Sequence, residues 1–446
     1  MEEVTYLAYE KYRPSKIEWV RSIPAHWNES AVKINYLMQL GKMLQNDASA
    51  LSDVEVSYLK AQHVNWNRVT TDGLPKMWAS PSELKNYGVQ NGDLLVCEGG
   101  EVGRAAILEG LDEPAIIQNA IHRIRGTASG DIRFFSYLLK NIADAGWFAI
   151  LCNKATIAHL TVDKLGAIQI PIPSLAEQQK IAAFLDWKTS QIDTLIAKKH
   201  ELLQKLKEKR LAVITQAVTK GLNPDAPMRN SGSAWLGAVP THWDVKPVKY
   251  LTRIVRGQFS HRPRNDPAFY DGEYPFVQTG DIARAGKFVT SYSQTLNELG
   301  LSVSRQFPAR TLVMTIAANI GDMAIIDFAA CFPDSIVGFI PEEEVDLDFL
   351  YFMFIAMKQR LMMTAVLNTQ LNLNIDRIAS IETVAPPHNE QIRIVALLDE
   401  EVRRSDLLME KAQSAITCLT AYRSALITAA TTGKIDVRNV AIPAAA

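Results

Sequence analysis

The residues able to do chemistry are scattered. Cys97, Cys152, Cys331 and Cys418 stand far apart, with neither the CxxC pairing of a zinc site nor a dense disulfide frame. The eight histidines form no cluster. His26 and His242 each sit between Pro and Trp and read as structural. Asp186/Asp193 and Asp399/Asp406 are each one heptad apart. On a helix that spacing suits surface or partner contacts better than acid–base work. Gly99-Gly100-x-x-Gly103 reads as a turn, and Pro333-Asp334 has no following acid-x-Lys to make a metal nuclease. No P-loop, GxGxxG after a strand, HExxH or GxSxG is present. The expectation is therefore a chain with no catalytic residue, no metal site and no cofactor of its own.

Nucleic-acid chemistry is better represented. From Lys246 to Arg264 six cations, Lys246, Lys249, Arg253, Arg256, Arg262 and Arg264, occur without an intervening acid, and Gln258, Ser260 and His261 lie among them. Cations neutralise phosphates, while Arg, Gln and Ser reach base edges. A second group is Lys60, Gln62, His63, Asn65, Asn67, Arg68 and Lys76, interleaved with Trp66 and Trp78. Arg104, Gln278, Thr279 and Arg284 complete the candidate DNA contacts.

These residues need a scaffold, and composition bounds it. The 446 residues carry 47 Lys+Arg against 48 Asp+Glu, a net charge of -1, and 48% are hydrophobic. The length suits two to three domains with a sizeable core. Near-neutrality excludes a uniformly basic coat but not local basic faces. Scattered free cysteines suit a reducing cytosol. Met1–Lys16 has no apolar h-region, and no uninterrupted apolar run reaches ~18 residues, so a cytoplasmic protein without a membrane span is expected.

The chain repeats itself. Trp19, Pro24, His26 and Trp27 return as Trp235, Pro240, His242 and Trp243, 216 residues on. Thr156, Leu160, Asp163, Leu165 and Ile168 return as Thr369, Leu373, Asp376, Ile378 and Ile381, and Pro173, Glu177, Gln178, Ile181, Leu185 and Asp186 as Pro386, Glu390, Gln391, Ile394, Leu398 and Asp399, both 213 on. Each half is an opening W…P.HW motif, a mixed segment and a long charged helix. The helices lack Pro and Gly over about 178–219 and 390–431. About 42 residues at ~1.5 Å each make a rod of roughly 60 Å, long enough for a spacer. Ile181, Leu185, Ile192, Leu195, Leu202 and Leu206 in the first, and Ile394, Leu398, Leu408, Leu419 and Leu426 in the second, follow a heptad-like seam, widened by Ile196, Leu203, Met409 and Ile416. Residues 174–222 hold nine Lys+Arg against five Asp+Glu. Strands are expected at Leu94–Cys97, Ala115–Ile117, Thr311–Met314 and Ser335–Phe339, and helices at Phe134–Leu139 and Phe349–Met357. Residues 40–90 and 256–310 share little. The expected division is 1–173 globular, 174–222 helix, 223–234 linker, 235–387 globular, 388–437 helix and 438–446 tail.

Together, the two W…P.HW motifs, Gly92-Asp93-Leu94-Leu95 with Gly103, the Ile170-Pro171-Ile172-Pro173 strand and the twice-used Pro-x-x-x-Glu-Gln helix opening resemble the specificity subunits of type I restriction–modification enzymes over essentially the whole chain. The second half departs in having Val384-Ala385-Pro386-Pro387 for Ile-Pro-Ile-Pro, and Arg310-Thr311 for Gly92-Asp93. The resemblance implies an α+β fold: two globular target recognition domains alternating with two long antiparallel helices, related by a pseudo-two-fold internal repeat. It implies that each half reads one part of an asymmetric bipartite double-stranded DNA target and that the helices set the gap. It also implies two modification (methyltransferase) subunits, which hold S-adenosylmethionine and methylate adenine, and restriction (translocase and endonuclease) subunits working with ATP and Mg. Two alternatives stay open: a fused restriction–modification enzyme, which would need an Asn/Asp-Pro-Pro-aromatic motif that Asn223-Pro224-Asp225 does not supply, and a coiled-coil scaffold without a DNA role.

Overall fold

The computed structural model describes residues 6–152, 159–261, 265–317, 320–363, 366–367 and 371–443. The chain forms two compact units: residues 1–199 with 414–446, and residues 200–413. Both long helices are divided between them, so compactness cuts inside the helices rather than at their ends.

In the first unit, β1 (Tyr36–Leu40), β2 (Val54–Leu59), β3 (Lys76–Ala79), β4 (Gly88–Val89), β5 (Leu94–Cys97), β6 (Ala105–Ile107), β7 (Ala115–Ile117) and β8 (Ile121–Gly126) build two sheets. Their orders are β6-β5-β8-β1 and β3-β2-β7-β4, with β2 and β7 parallel. Helix α1 (Ile132–Asp144) follows, then α2 (Leu175–Lys220). Apolar Leu94, Val96 and Ile124 of the first sheet pack with Phe134, Phe135, Leu138 and Leu139 of α1 and Ile181 and Leu185 of α2.

The second unit repeats this plan. It contains β9 (Thr252–Arg256), β10 (Tyr270–Phe276), β11 (Gln294–Leu296), β12 (Gln306–Phe307), β13 (Thr311–Thr315), β14 (Met323–Ile326), β15 (Ala330–Cys331) and β16 (Ile336–Pro341), then α3 (Leu347–Met363) and α4 (His388–Thr431). The sheet orders are β14-β13-β16-β9 and β11-β10-β15-β12, with β10 and β15 parallel. Strand for strand this is the first unit. The inserts that share little sequence therefore share one topology: their pairing is carried by the backbone, which leaves the side chains free to differ.

The two departures from the repeat have local causes. Gly92 takes φ +95° and donates its N–H to the Leu108 carbonyl; Arg310 takes φ +66° and donates to the equivalent Ile326 carbonyl. The left-handed turn is kept, at a steric cost glycine avoids. The Asp93 carboxylate accepts the Gln90 N–H. The equivalent of Gln90 is Pro308, which has no N–H, and Thr311 instead donates its hydroxyl to the Pro308 carbonyl. Likewise Glu382–Ala385 pairs with Asp244–Pro247 as Gln169–Ile172 pairs with Asn28–Ala31.

Within each unit one part of α2 lies antiparallel to one part of α4. In the first, Asp193 accepts from Arg423 at 2.9 and 3.2 Å; in the second, Arg210 meets Asp406 at 3.3 Å. Of the expected seam, Ile181, Leu185, Ile192, Ile394, Leu398 and Leu426 are buried and Leu206 and Leu419 half-buried. Leu195, Leu202 and Leu408 are exposed, and Ile196, Leu203 and Met409, their neighbours, sit closer to the buried stripe. The less exposed positions Leu185, Thr189, Ile192, Ile196, Lys199, Leu203 and Leu206 step by four and three residues, as do Leu398, Val402, Ser405, Met409, Ala412, Ile416 and Leu419. The seam therefore keeps its heptad period and takes the residue four places beyond Ile192, Lys199 and Ser405 rather than three.

Candidate nucleic-acid interface

The repeated motifs turn out to be joints. In the first unit the buried Glu177 carboxylate opens α2 and accepts from Tyr9 Oη at 2.8 Å and Trp27 Nε1 at 3.0 Å, with His26 Nε2 3.1 Å away. In the second, Glu390 has His242 Nε2 at 2.8 Å and accepts from Trp243 Nε1 at 2.9 Å. Burial works to raise the Glu390 carboxyl, but the Trp243 and His242 hydrogen bonds outweigh it and hold it below its ordinary range. The neighbouring glutamine fastens the shorter helix. Gln178 accepts the Asp131 N–H and donates to the Ser129 and Pro173 carbonyls; Gln391 does the same for Asp346, Glu344 and Pro386. Each helix end then docks on an opening motif: Gly221 against Trp243, and Gly433 against Pro24 and Trp27. At φ +75° and +73° both also terminate their helices, and a Cβ on Gly433 would stand 2.4 Å from Pro24. His26 and His242 are thus scaffold residues, as read from the sequence.

On this frame the first unit gathers most of its candidates at one corner. Lys60, Gln62 and His63 form the turn after β2, and the Lys60 N–H donates to His63 Nδ1 at 3.2 Å. His63 is buried, and burial first, then Lys60, depress its pKa, so its neutral ring serves the turn and presents no base-reading edge. Arg68 is exposed in the adjoining hairpin (Val64–Asn65 with Arg68–Val69). Arg104 donates to the Ala61 carbonyl at 2.8 Å and pairs with Glu101, which also accepts from Trp66. Lys76 stands on β3 and faces Glu55 at 3.6 Å.

The cationic stretch of the second unit is shared among several elements rather than being one surface. Lys246 lies on the short Asp244–Pro247 strand, paired with Asp244 at 2.9 Å. The Lys249 ammonium sits 5.1 Å from the Tyr250 ring. Arg253 and Arg256 are exposed on β9. His261 stacks on Phe269 at 4.0 Å and faces Asp266. Gln278 precedes the short helix Thr279–Arg284 and donates to Gln294, while Arg284 pairs with Asp281. Arg262 and Arg264 lie outside the described residues, as do Thr156 and Thr369.

Three cations missed in the sequence matter here: Lys42, Lys287 and Arg305. Nothing in their spacing marked them. Lys42 is buried against Glu83 and Gln45. Lys287 bridges Asp348 of α3 at 2.9 Å and Asp399 of α4 at 2.6 Å. In the first unit the position of Asp348 is Arg133, which pairs directly with Asp186 at 2.7 Å. Charge reversal at that position left two facing carboxylates, and a lysine from the insert satisfies both. Burial opposes the charge on Lys287, but the carboxylates raise its pKa; burial likewise opposes the charge on Asp348, but Lys287 and Arg310 lower its pKa. The carboxylate contribution to stability is therefore present above pH ~4 and lost as pH falls through the lowered value; the lysine contribution is lost only as pH rises above ~10. Lys287→Met is expected to destabilise the second unit by about 1–3 kcal/mol, below a fully buried pair because Asp399 is 49% exposed. Adding Asp348→Arg, which copies Arg133–Asp186, should restore part of the loss. Hydrogen exchange resolved to residues 287–399 checks both; full stability in the single variant would refute the bridge.

Among the described residues no His/Cys/Asp/Glu cluster could hold a metal, and no helix is long and apolar enough to cross a membrane. Residues 80–208 and 243–417 match the family model described as type I restriction modification DNA specificity domain. A putative type I restriction enzyme specificity subunit of Methanocaldococcus jannaschii, MjaX, is 22% identical over 367 residues, covering 80% of this chain and 81% of that one. The EcoBI specificity subunit of Escherichia coli is 30% identical over 142 residues, 32% of this chain and 29% of that one. Among solved structures, a chain from a study of type I R-M complex assembly and conformational transition aligns with a TM-score of 0.72 at 14% identity, covering 93% of this chain and 99% of that one. The HsdS subunit of Thermoanaerobacter tengcongensis aligns with a TM-score of 0.54 at 14% identity, over 93% and 98%.

Proposed function

This chain belongs to the DNA specificity subunits of type I restriction–modification systems, and we propose that each of its two units reads one part of an asymmetric bipartite double-stranded target while α2 and α4 set the unread gap. The observation that carries this reading is one eight-strand frame used twice with different side chains at equivalent positions. Leu40, Lys42 and Tyr87 of the first unit correspond to Arg256, Gln258 and Arg305 of the second. Identical frames suit one mechanical task; unlike side chains suit two base sequences. The chain makes no bond itself. Two methyltransferase subunits, supplying S-adenosylmethionine, dock on the two repeated halves and methylate adenine, and restriction subunits using ATP and Mg join them in the cytoplasm. Exposed Leu195, Leu202 and Leu408 are available to these partners.

Reconstitution with the cognate methyltransferase, followed by single-molecule sequencing of methylated adenines, tests the reading. One discrete motif of two unlike parts separated by a fixed gap is expected. A contiguous motif, or methylation without sequence preference, would overturn it. Methylation by the purified chain alone would favour a fused enzyme.

A further inference from the structure

The geometry points to Arg305, held by Arg256 and Gln258, as a base-reading residue of the second unit that presents its guanidinium edge to a guanine in the major groove. The inference rests on the specificity-subunit reading above and names a residue for it.

The corner is rigid. The Gly257 N–H donates to the Ile336 carbonyl at 2.9 Å and the Gln258 N–H to the Phe332 carbonyl at 3.0 Å. A Cβ on Gly257 would lie 2.3 Å from the Pro333 carbonyl oxygen, so the close approach requires glycine. Phe259 bridges to Ser304 in antiparallel pairing, the Ser260 N–H donates to the Val303 carbonyl, and Ser304 Oγ donates to the Gln258 carbonyl at 2.8 Å. Beneath it Phe259 is buried with Phe276, Leu296 and Cys331. Side chains on such a base lose little freedom on binding.

The charge is oriented without being cancelled. Arg305 Nη1 donates to the Arg256 carbonyl at 3.2 Å and Nη2 to Gln258 Oε1 at 3.3 Å. Arg256 Nε donates to the Asp334 carbonyl at 2.6 Å. Every one of these acceptors is neutral, and among the described residues neither guanidinium has a carboxylate within ion-pairing distance. By contrast Lys246, Arg284, Lys287 and Arg310 all have one. Two of the five guanidinium N–H donors of Arg305 are used to aim it, and the others remain for a ligand. Because Oε1 of Gln258 must face Arg305, its NH2 is left to donate as well. A planar fork of donors beside an amide matches the O6 and N7 acceptors of guanine. At the equivalent corner of the first unit Lys42 is neutralised by Glu83, and Leu40 and Tyr87 carry no charge. The two units therefore cannot read this position alike.

The test uses the reconstituted complex of the full chain with its methyltransferase subunits. Arg305→Lys keeps the charge and loses the fork. It should relax one base position in the second half-site, lowering discrimination there by roughly 5- to 150-fold, with the salt slope of binding and the thermal midpoint unchanged. Arg305→Ala should relax the same position. Uniform weakening at every position with a salt slope reduced by about one would make Arg305 a phosphate contact and overturn base reading. An unchanged motif and affinity would remove the corner from the interface. A parent complex without any discrete motif would instead sink the specificity-subunit reading, so the two failures are distinguishable.

Discussion

Glu177→Ala is expected to destabilise the first unit by about 2–6 kcal/mol, because it strands two buried hydrogen-bond donors at once. The Glu177 side chain is 6% exposed and takes hydrogen bonds from Tyr9 and Trp27, with His26 beside it. Alanine would leave the buried Trp27 N–H and Tyr9 O–H without an acceptor, and each such group costs about 1–3 kcal/mol. Tyr9 is already held protonated, by burial first and by Glu177 second. Glu390→Ala is expected to cost less, about 1–2 kcal/mol, since its side chain is 26% exposed and water can replace the carboxylate. Glu177→Gln keeps an acceptor and should fall between the wild type and Glu177→Ala. Hydrogen exchange on the intact chain reads the two units separately. Equal losses in Glu177→Ala and Glu390→Ala would show that burial does not set the weight of this joint.

That joint was half legible. The pairing of W…P.HW with Pro-x-x-x-Glu-Gln stands in the sequence twice, and duplication alone marks it as one working unit. What the sequence hides is the distance of about 150 residues over which Trp27 and Glu177 meet. The helices were legible because long runs without Pro or Gly leave few alternatives. Strands β5 and β13 were legible as short apolar runs between turns. The common topology of the inserts was not, since no side chain has to be shared for β2 and β10 to pair with parallel neighbours in the same way.

The candidate site divides along a similar line. Residue type located Arg256 and Gln258, because a run of cations without acids is visible in one dimension. It could not separate them from Lys246 and Arg284, whose charges are met by Asp244 and Asp281. It also missed Arg305, which lies 41 residues beyond Arg264 in an unremarkable segment and reaches the corner only through the pairing of Phe259 with Ser304. Whether a cation is spent on a carboxylate is a property of the fold. The same holds for Lys287, whose partners come from two helices.

Adding one heptad to both α2 and α4, after Lys199 and after Gln413, is expected to lengthen the gap in the recognised target while leaving the bases of both parts unchanged. These are the points where the compact units divide, so Asp193–Arg423 and Arg210–Asp406 each stay intact within their own unit. Seven residues add ~10 Å of helix, and they return each helix to within ~20° of its former face. At ~3.4 Å per base pair the gap should grow by about three base pairs. Three base pairs also turn the duplex by roughly 100°, at about ten base pairs per turn. That rotation is not matched by the helices and has to be absorbed as DNA twist, so the variant should methylate its new target more slowly than the parent methylates its own. A heptad placed in α2 alone would shift one helix ~10 Å past the other and break both the seam and one of the two ion pairs, and such a chain should lose methylation at every gap length. Sequencing of methylated adenines separates these outcomes. An unchanged gap in the double insertion would mean that α2 and α4 do not set it, and that the spacing comes from how the partner subunits grip the DNA.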